Sequence, residues 1–295
     1  MSEELRPELR EALARHDGFD TGGDGAVRIL DVACGDGSFT QTLHESVPPY
    51  EILIGIDVDG SLLEEAEDRF ADAYVGRKPP VRFVSGDARA IPFLPKAFHL
   101  SAISNGLHHV ANVPAALSEM ARVTQPGGMI VVHEMVSDGL SEAQQAARDV
   151  HHFKARVDRA FGISHRPTYT RAEMDGLLGA LDAEVLDQWE YVPTDDGDGF
   201  RERREEHTAE RVEERVEFVE TYTELAEALP IYPAVRKEAT RLIHRLRSVG
   251  FAYPPQRVVI LRNHRFGRAT RGNAPGTRGH VGSDPAVDPR TGEAK

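Results

Sequence analysis

Leucines at positions 5, 9 and 13 fall about one helical turn apart in an otherwise polar run, and this spacing predicts a short amphipathic helix over residues 3–15. The Gly- and Asp-rich stretch from Asp17 to Gly25 reads as its linker. From there the pattern changes to short apolar or β-branched runs at 27–33, 51–57, 81–85, 98–104 and 128–134, separated by helix-length segments. That alternation predicts βαβ units on a parallel sheet. Ser61 with Glu64, Ser141 with Gln144 and Thr170 with Glu173 have the spacing of capping boxes, in which side chain and backbone satisfy each other's free donors. Helices are therefore expected to begin at each. Pro126-Gly127-Gly128 predicts a tight turn into the fifth strand.

Beyond that strand, Ala146, Val150, Phe153 and Val157 form one stripe of a helix over 141–161, and a second helix is expected over 170–181. Residues 184–192 return to strand character. The segment 201–229 carries ten acidic and five basic residues, with Val212, Val216, Val219, Tyr222, Ala226 and Leu229 on one face. Residues 234–249 carry five basic and one acidic, with Val235, Ala239, Leu242, Leu246 and Val249 aligned. Joined by Leu-Pro-Ile-Tyr-Pro, the two predict an antiparallel helical hairpin with charge-complementary faces. Most of these charges are solvated helix faces that contribute little individually. A last strand is expected over 256–262, and the Gly/Pro/Arg-rich stretch 268–295 has almost nothing to bury and reads as a disordered tail.

Composition narrows the function. A chain of 295 residues with 40% hydrophobic and 28% charged side chains is globular, one large domain or a domain with an insertion. The expected division is a helix and linker over 1–24, a main domain over 25–267 and the tail. A single cysteine, Cys34, excludes an intramolecular disulfide and any multi-cysteine metal site, and it suits a reducing compartment. The start, MSEELRPELR, lacks the apolar core of a secretory signal, and no stretch approaches the roughly 20 apolar residues that span a bilayer, so a cytoplasmic location is expected. The net charge of −13 repels nucleic acid and anionic lipid alike. Thirteen histidines invite a metal reading, but neither an HExxH motif nor a carboxylate cluster supports it, and no metal is expected.

The stretch Val27-Arg28-Ile29-Leu30-Asp31-Val32-Ala33-Cys34-Gly35-Asp36-Gly37-Ser38-Phe39-Thr40 runs from a strand through a small-residue turn into a helix. Small residues let a ligand approach the backbone, and the helix start supplies oriented N–H groups. Thr40 stands at the third glycine position of a dinucleotide fingerprint, and no phosphate-loop lysine follows. The second strand ends in Ile54-Gly55-Ile56-Asp57-Val58, which places a carboxylate about 20 residues past the turn, where it can accept from a ribose diol. The third ends in Gly86-Asp87-Ala88 and the fourth in Ser104-Asn105-Gly106-Leu107-His108-His109, with Glu119-Met120-Ala121-Arg122-Val123 in the helix that follows.

In these ordered motifs, over roughly residues 25–136, the chain resembles the class I S-adenosylmethionine-dependent methyltransferases, in particular the small-molecule group that includes quinone-biosynthesis enzymes. The resemblance implies an α/β, Rossmann-like, doubly wound and mostly parallel sheet with helices on both faces, here with a helical insertion, 200–249, between the last two strands. It implies S-adenosyl-L-methionine as cofactor, with Asp31, Ala33, Gly35 and Gly37 facing its methionine part. Asp57 would take the ribose hydroxyls and Val58 an adenine face. Asp87 would take the adenine amine with Ala88 beside it, and the Ser104–Asn105 backbone the methionine amino group. Ala33 departs from the first glycine of the D-x-G-x-G-x-G pattern, which alters packing more than chemistry.

A sulfonium cofactor needs carboxylates and carbonyls rather than phosphate-binding cations, and the acids here fit that need. Methyl transfer is an in-line displacement in which alignment does much of the work, and a base is required only if the acceptor must lose a proton. His108 and His133 are the catalytic candidates, with His109 and Glu134 also suitably placed. Helix 141–161 is a candidate lid, with His151, Lys154 and Asp158 on one flank and His152 and Arg159 pointing away. The loop His165-Arg166-Pro167-Thr168-Tyr169 is positioned to close on an acceptor. Phe218, Tyr222, Tyr232, Trp189 and Tyr191 could line an acceptor pocket, with core packing the commoner use of each. The hairpin is open to two uses, a substrate cap or a homodimer interface. Besides a small-molecule methyltransferase, two readings stay open: methylation of nucleic acid, disfavoured by charge and by the lack of an Asn/Asp-Pro-Pro-aromatic turn at 104–107, and a non-catalytic cofactor-binding regulator.

Overall fold

The computed structural model describes residues 5–16, 27–47, 49–73, 80–193 and 206–264. The predicted linker over 17–25, the start of the insertion and the tail over 268–295 lie outside the described residues. Seven strands form one sheet: β1 (Arg28–Val32), β2 (Ile52–Asp57), β3 (Val81–Ser85), β4 (Phe98–Ser104), β5 (Thr124–Met135), β6 (Ala183–Tyr191) and β7 (Gln256–Asn263), in the order β3-β2-β1-β4-β5-β7-β6. Every pairing up to β5 is parallel, whereas β7 runs antiparallel to both β5 and β6. The order reverses between β1 and β4, so the helices leaving these strands diverge to opposite faces and open a crevice at the carboxyl edge.

Central strands buried on two faces show how the chain pattern builds this layer. In β5, Met129 and Val131 point into one core and Ile130 and Val132 into the other; β7 divides Val258 and Ile260 from Val259 and Leu261 in the same way. One core is closed by α1 (Leu5–Arg15), α2 (Ser38–Ser46) and α3 (Gly60–Ala73), the other by α4 (Val113–Val123) and α6 (Arg171–Leu178). Leu5, Leu9 and Leu13, the stripe that predicted α1, are all buried there. Each contributes about 2 kcal/mol of apolar burial.

Local signals define most helix starts. Ser141 and Thr170 form complete capping boxes at α5 (Glu142–Ala160) and α6. Ser61 does not: Asp59 caps α3, its Oδ1 accepting from the amides of Ser61 and Leu62 and from the Ser61 hydroxyl, because a carboxylate outcompetes a hydroxyl at the positive end of a helix. Nor does Pro126-Gly127-Gly128 precede the fifth strand. β5 already begins at Thr124, and the three residues form a bulge, marked by the jump in pairing from Phe98↔Thr124 to Leu100↔Met129. A side chain at Gly128 would come within 2.6 Å of the His99 carbonyl, so only glycine allows the strands to rejoin.

The insertion forms α7 (Glu206–Leu225) and α8 (Tyr232–Val249) between β6 and β7, as predicted. Its stripe residues Val212, Val216, Val219, Val235, Leu242 and Leu246 share a third core with Ala146, Val150, Phe153 and Val157 of α5. Arg247 pairs with Glu213 between the hairpin arms, and Arg245 and Glu238 of α8 pair with Asp149 and Arg156 of α5. The apolar stripes are thus covered by α5. Phe218, Tyr222 and Tyr232 pack against the same core, and Trp189 and Tyr191 against the α1 side of the sheet.

A staple joins α4 to the loop after β3. The Glu119 carboxylate accepts the Ile91 amide at 2.9 Å while Arg122 donates to the carbonyls of Ile91 and Phe93 at 2.9 and 2.8 Å, and the two side chains pair with each other. Arg122→Ala is expected to destabilise the chain by about 1–3 kcal/mol in urea unfolding, leaving two half-buried carbonyls and a carboxylate short of donors. Faster hydrogen exchange should then be confined to residues 86–96; a uniform change across the sheet would contradict a local staple.

Candidate active site

The crevice holds a cavity of 520 Å³. Its walls are the turn after β1, the ends of β2, β3 and β4, the segment His109–Ala111, and Ile163 and Ser164 from the loop after α5. Eight predicted residues meet in this wall: Ala33, Gly35, Asp57, Val58, Asp87, Ala88, Ser104 and Asn105.

The turn is built from three left-handed positions, Ala33 (φ 53°), Gly35 (φ 53°) and Gly37 (φ 77°). Glycine adopts this region freely, but alanine there costs about 1–2 kcal/mol. The strained Ala33 fits because its neighbour across the crevice is Gly106, where an added Cβ would lie 3.0 Å from the Ala33 methyl and 2.9 Å from Ile103. Asp57 fixes the turn from the next strand: its Oδ2 accepts the Gly35 amide at 2.9 Å and its Oδ1 the Asp59 amide at 3.0 Å. Each oxygen keeps a lone pair for a ligand hydroxyl. Beside it Val58 is 70% exposed, an apolar side chain presented to the cavity. Asn105 (φ 46°) is also left-handed, held by its Oδ1 accepting from the Met135 amide and its own amide donating to the His133 carbonyl. Such strain persists only where surrounding bonds over-determine it.

Four predicted residues lie outside the wall. Asp31 sits beneath the turn, fully buried, its Oδ2 accepting from Thr40 at 2.6 Å and its Oδ1 with no partner. Burial raises its pKa to about 7, against the lowering by the Thr40 hydrogen bond and with a smaller rise from Asp57. Gly37 turns away, toward Ala66 of α3. His133 is buried between Phe39 and Tyr191, one ring nitrogen bonded to Ser104 Oγ (2.7 Å) and the other to Tyr191 Oη (3.0 Å). Burial pushes its pKa down to about 3, and with both nitrogens engaged it braces β4, β5 and β6. His108 points below the cavity, its Nδ1 bonded to the buried Glu134 at 2.6 Å. The next residue, His109, is exposed and faces the cavity instead; the crowding of its ring, then the neighbouring His108, His165 and Lys154, hold its pKa below the usual imidazole range. Neutral at physiological pH, it is a weak proton acceptor.

Asp87 carries a partner the sequence reading did not give it. Arg89 grips both its oxygens at 2.6–3.1 Å and holds its carboxyl below the usual range. Ile163 and Ser164 were also missed, because they reach the cavity only through the path of the loop after α5. No described residue of the hairpin lines the cavity. Helix α5 departs from expectation too: His152 bonds Thr168 and Arg159 donates to the His165 carbonyl, so both serve the following loop rather than pointing away.

Part of the sequence, and the fold, are similar to known proteins. Residues 29–128 match a family described as methyltransferase domain. Demethylmenaquinone methyltransferases from Staphylococcus aureus strains Newman and Mu50 are 36% identical over 115 residues, 39% of this chain and 46% of theirs, so the chain matches about half the length of these curated relatives. A solved Bacillus halodurans structure described as a candidate methyltransferase superposes with a TM-score of 0.54 at 16% identity, covering 87% of this chain and 99% of that one. The [4+2]-cyclase SpnF gives 0.52 at 19%, covering 88% and 80%. At such identities the structures define the fold alone. The family match is thus to a methyltransferase domain over residues 29–128, and the fold is the one these solved structures share. Among the described residues no helix is long and apolar enough to cross a membrane.

Asp31 gives a pH test of the site. Its folded pKa lies above the unfolded value near 3.8, so the folded state binds the proton more tightly and this contribution to stability is lost as pH rises from about 4 to about 7. Asp31→Asn removes that loss while keeping an acceptor for Thr40. Relative to the wild type, the variant is expected to gain of order 3 kcal/mol in urea-unfolding stability between pH 4.5 and pH 8. A pH-independent difference would mean that Asp31 titrates normally.

Proposed function

We propose that this protein transfers a methyl group from S-adenosyl-L-methionine to an oxygen, nitrogen or carbon atom of a small-molecule acceptor. The observation that carries the proposal is the cavity itself. Its wall holds Asp36, Asp57, Asp59 and Asp87; Arg69 pairs with Asp36 and Arg89 with Asp87, which leaves Asp57 and Asp59 without a cationic partner among the described residues. Such a wall repels a pyrophosphate and suits a cofactor that arrives with a positive charge. The unpartnered Asp31 Oδ1 and the exposed Val58 fit such a cofactor, the one as a buried acceptor for a donor and the other as an apolar face for a ring.

In this reading Asp57 holds the ribose hydroxyls, Val58 and Ala88 enclose the adenine, and Asp87 takes its amine by sharing its oxygens with Arg89. Asp31 and the Ser104–Asn105 backbone hold the amino-acid end, with the Ala33–Gly37 turn against its backbone. When bound, the cofactor supplies an electrophilic methyl group on sulfur. The chain's part is to align and to exclude water, and His109 is the imidazole in the wall able to take a proton from an acceptor. His108 and His133 act through packing.

A cavity of this size falls within the roughly 300–1,000 Å³ of small-molecule sites. That size and the −13 charge favour a small acceptor over nucleic acid. The quinone-biosynthesis relatives lend the small-molecule class further support. Because the fold is shared with a cyclase, the acids of the wall, rather than the topology, bear the assignment.

Calorimetric titration with S-adenosylhomocysteine tests it, with NAD as control. Micromolar binding of the first and none of the second is expected, and Asp57→Ala should weaken binding about 100-fold, the worth of two charge-assisted hydrogen bonds. Asp57→Asn, which preserves an acceptor for the Gly35 amide, guards against an effect on the turn alone and should still lose most of the affinity. A ligand ammonium group beside Asp31 also lowers its pKa, so binding near pH 6.5 should release protons, seen as an enthalpy that depends on the buffer. Unchanged affinity in both Asp57 variants would show that the ribose lies elsewhere.

A further inference from the structure

His108, His151 and His165 come from three separate elements, the turn after β4, helix α5 and the loop after it, yet one ring nitrogen of each lies within 4.8 Å of the other two. His151 Nε2 and His165 Nε2 are 3.1 Å apart, close to the edge of a coordination tetrahedron with metal–nitrogen bonds of about 2.0–2.1 Å. We propose that these three histidines bind a divalent transition-metal ion of the zinc, cobalt or nickel type, clipping the helical cap to the sheet beside the cavity.

The surroundings have the chemistry such a site requires. His108 Nδ1 is bonded to Glu134 Oε1 and His165 Nδ1 to Asp158 Oδ2, both at 2.6 Å. A carboxylate on Nδ1 fixes the tautomer with its proton there and leaves Nε2 as a lone-pair donor, the arrangement that orients histidine ligands on metals. Two such lone pairs meet in the cluster, and the one N–H that His151 can direct at His165 leaves the other without a donor among these three rings. Glu134 and Asp158 supply two negative charges to balance a divalent cation, while Lys154, 2.5 Å from Asp158, is the cation it would share them with. His108 and His165 are buried and His151 is half-buried, so one side stays accessible to an entering ion. Three imidazoles with no thiolate in the set favour these borderline metals over magnesium or calcium, which prefer oxygen ligands.

The position gives the ion a consequence. Ser164 and Ile163, which line the cavity, directly precede His165, and His109 of the wall packs at a tilt against both His165 and His108, with ring centres 4.2 and 4.4 Å apart. An ion here fixes the segment that covers the cavity without being part of the cofactor site.

The full chain, stripped with a chelator and dialysed, is titrated with Co²⁺ alone while visible absorption is followed, then with Zn²⁺ as competitor. One equivalent of Co²⁺ should produce the intense bands of a nitrogen-ligated low-coordinate site, and Zn²⁺ should bleach them and raise the melting temperature. His151→Ala should abolish the bands; since His151 is half-buried, the variant is expected to fold, as circular dichroism checks. Glu134→Gln and Asp158→Asn leave all three ligands in place and should weaken binding about 10–100-fold. His244→Ala, on an exposed face of α8, should change nothing. Absence of cobalt bands in the folded wild type, or bands of equal strength in His151→Ala, would overturn the proposal.

Discussion

The buried carboxylate of Glu134 decides how the sheet edge becomes a site. Its Oε2 accepts the Leu107 amide at 3.1 Å and its Oε1 the His108 ring at 2.6 Å, so the end of β5 dictates the short turn that follows β4. A carboxylate fully removed from water is tolerated only with such donors around it, and those donors belong to the segment that needs positioning. Much of the neighbourhood is set by that turn. The His108 carbonyl accepts the Arg166 amide and the Leu107 carbonyl the Tyr169 hydroxyl, which docks the loop after α5; His109 is rotated into the cavity wall by the same turn. An apolar residue at 134, with no oxygen to accept from the turn, would leave two strand ends and a loop without a common reference.

The opposite wall carries the cost. Ala33 and Asn105 sit in left-handed conformations, and Asp31 is buried with one oxygen unpaired, each a departure from the lowest-energy local choice. These three departures converge on one crevice, while residues 129–132 of β5 and 258–261 of β7 alternate cleanly between the two cores. Stability is therefore concentrated in the sheet and its two helical layers, and the free energy given up lies where a ligand with hydrogen-bond donors and an apolar face would restore it.

Much of this was legible in the chain. The βαβ alternation located every strand up to β5, because central strands are marked by unbroken apolar runs, and the capping boxes at Ser141 and Thr170 marked helices α5 and α6. The acid of β2 and the small-residue turn after β1 meet at the cavity as expected, since both are set by local geometry at a known edge of the sheet. Where expectation failed, a long-range partner had won. Asp59 displaced Ser61 as a cap by its charge; the Pro-Gly-Gly turn was absorbed into a bulge by pairing with β4; His133 was drawn into a brace by Tyr191 from a strand distant in sequence. The grouping of His108, His151 and His165 was hidden for the same reason: no spacing rule links three residues on different elements, and only their carboxylate neighbours, themselves remote, reveal the arrangement.

The hairpin is the part whose role changes most once its contacts are known. Its apolar stripes are spent on α5, and the ion pairs Arg245 with Asp149 and Arg156 with Glu238 set α8 along that helix. None of its described side chains reaches the cavity, so any influence on acceptor choice must pass through α5 and the loop that follows it. That loop is also tied to the sheet, through His165, Arg166 and Tyr169. Helix α5 therefore lies between the hairpin and the loop that brings Ile163 and Ser164 to the cavity, whereas Asp57 and the turn after β1 have no contact with the hairpin among the described interactions. The cavity wall is thus built from two independent parts, the strand ends with their turns and the loop after α5, and only the second is tied to the hairpin.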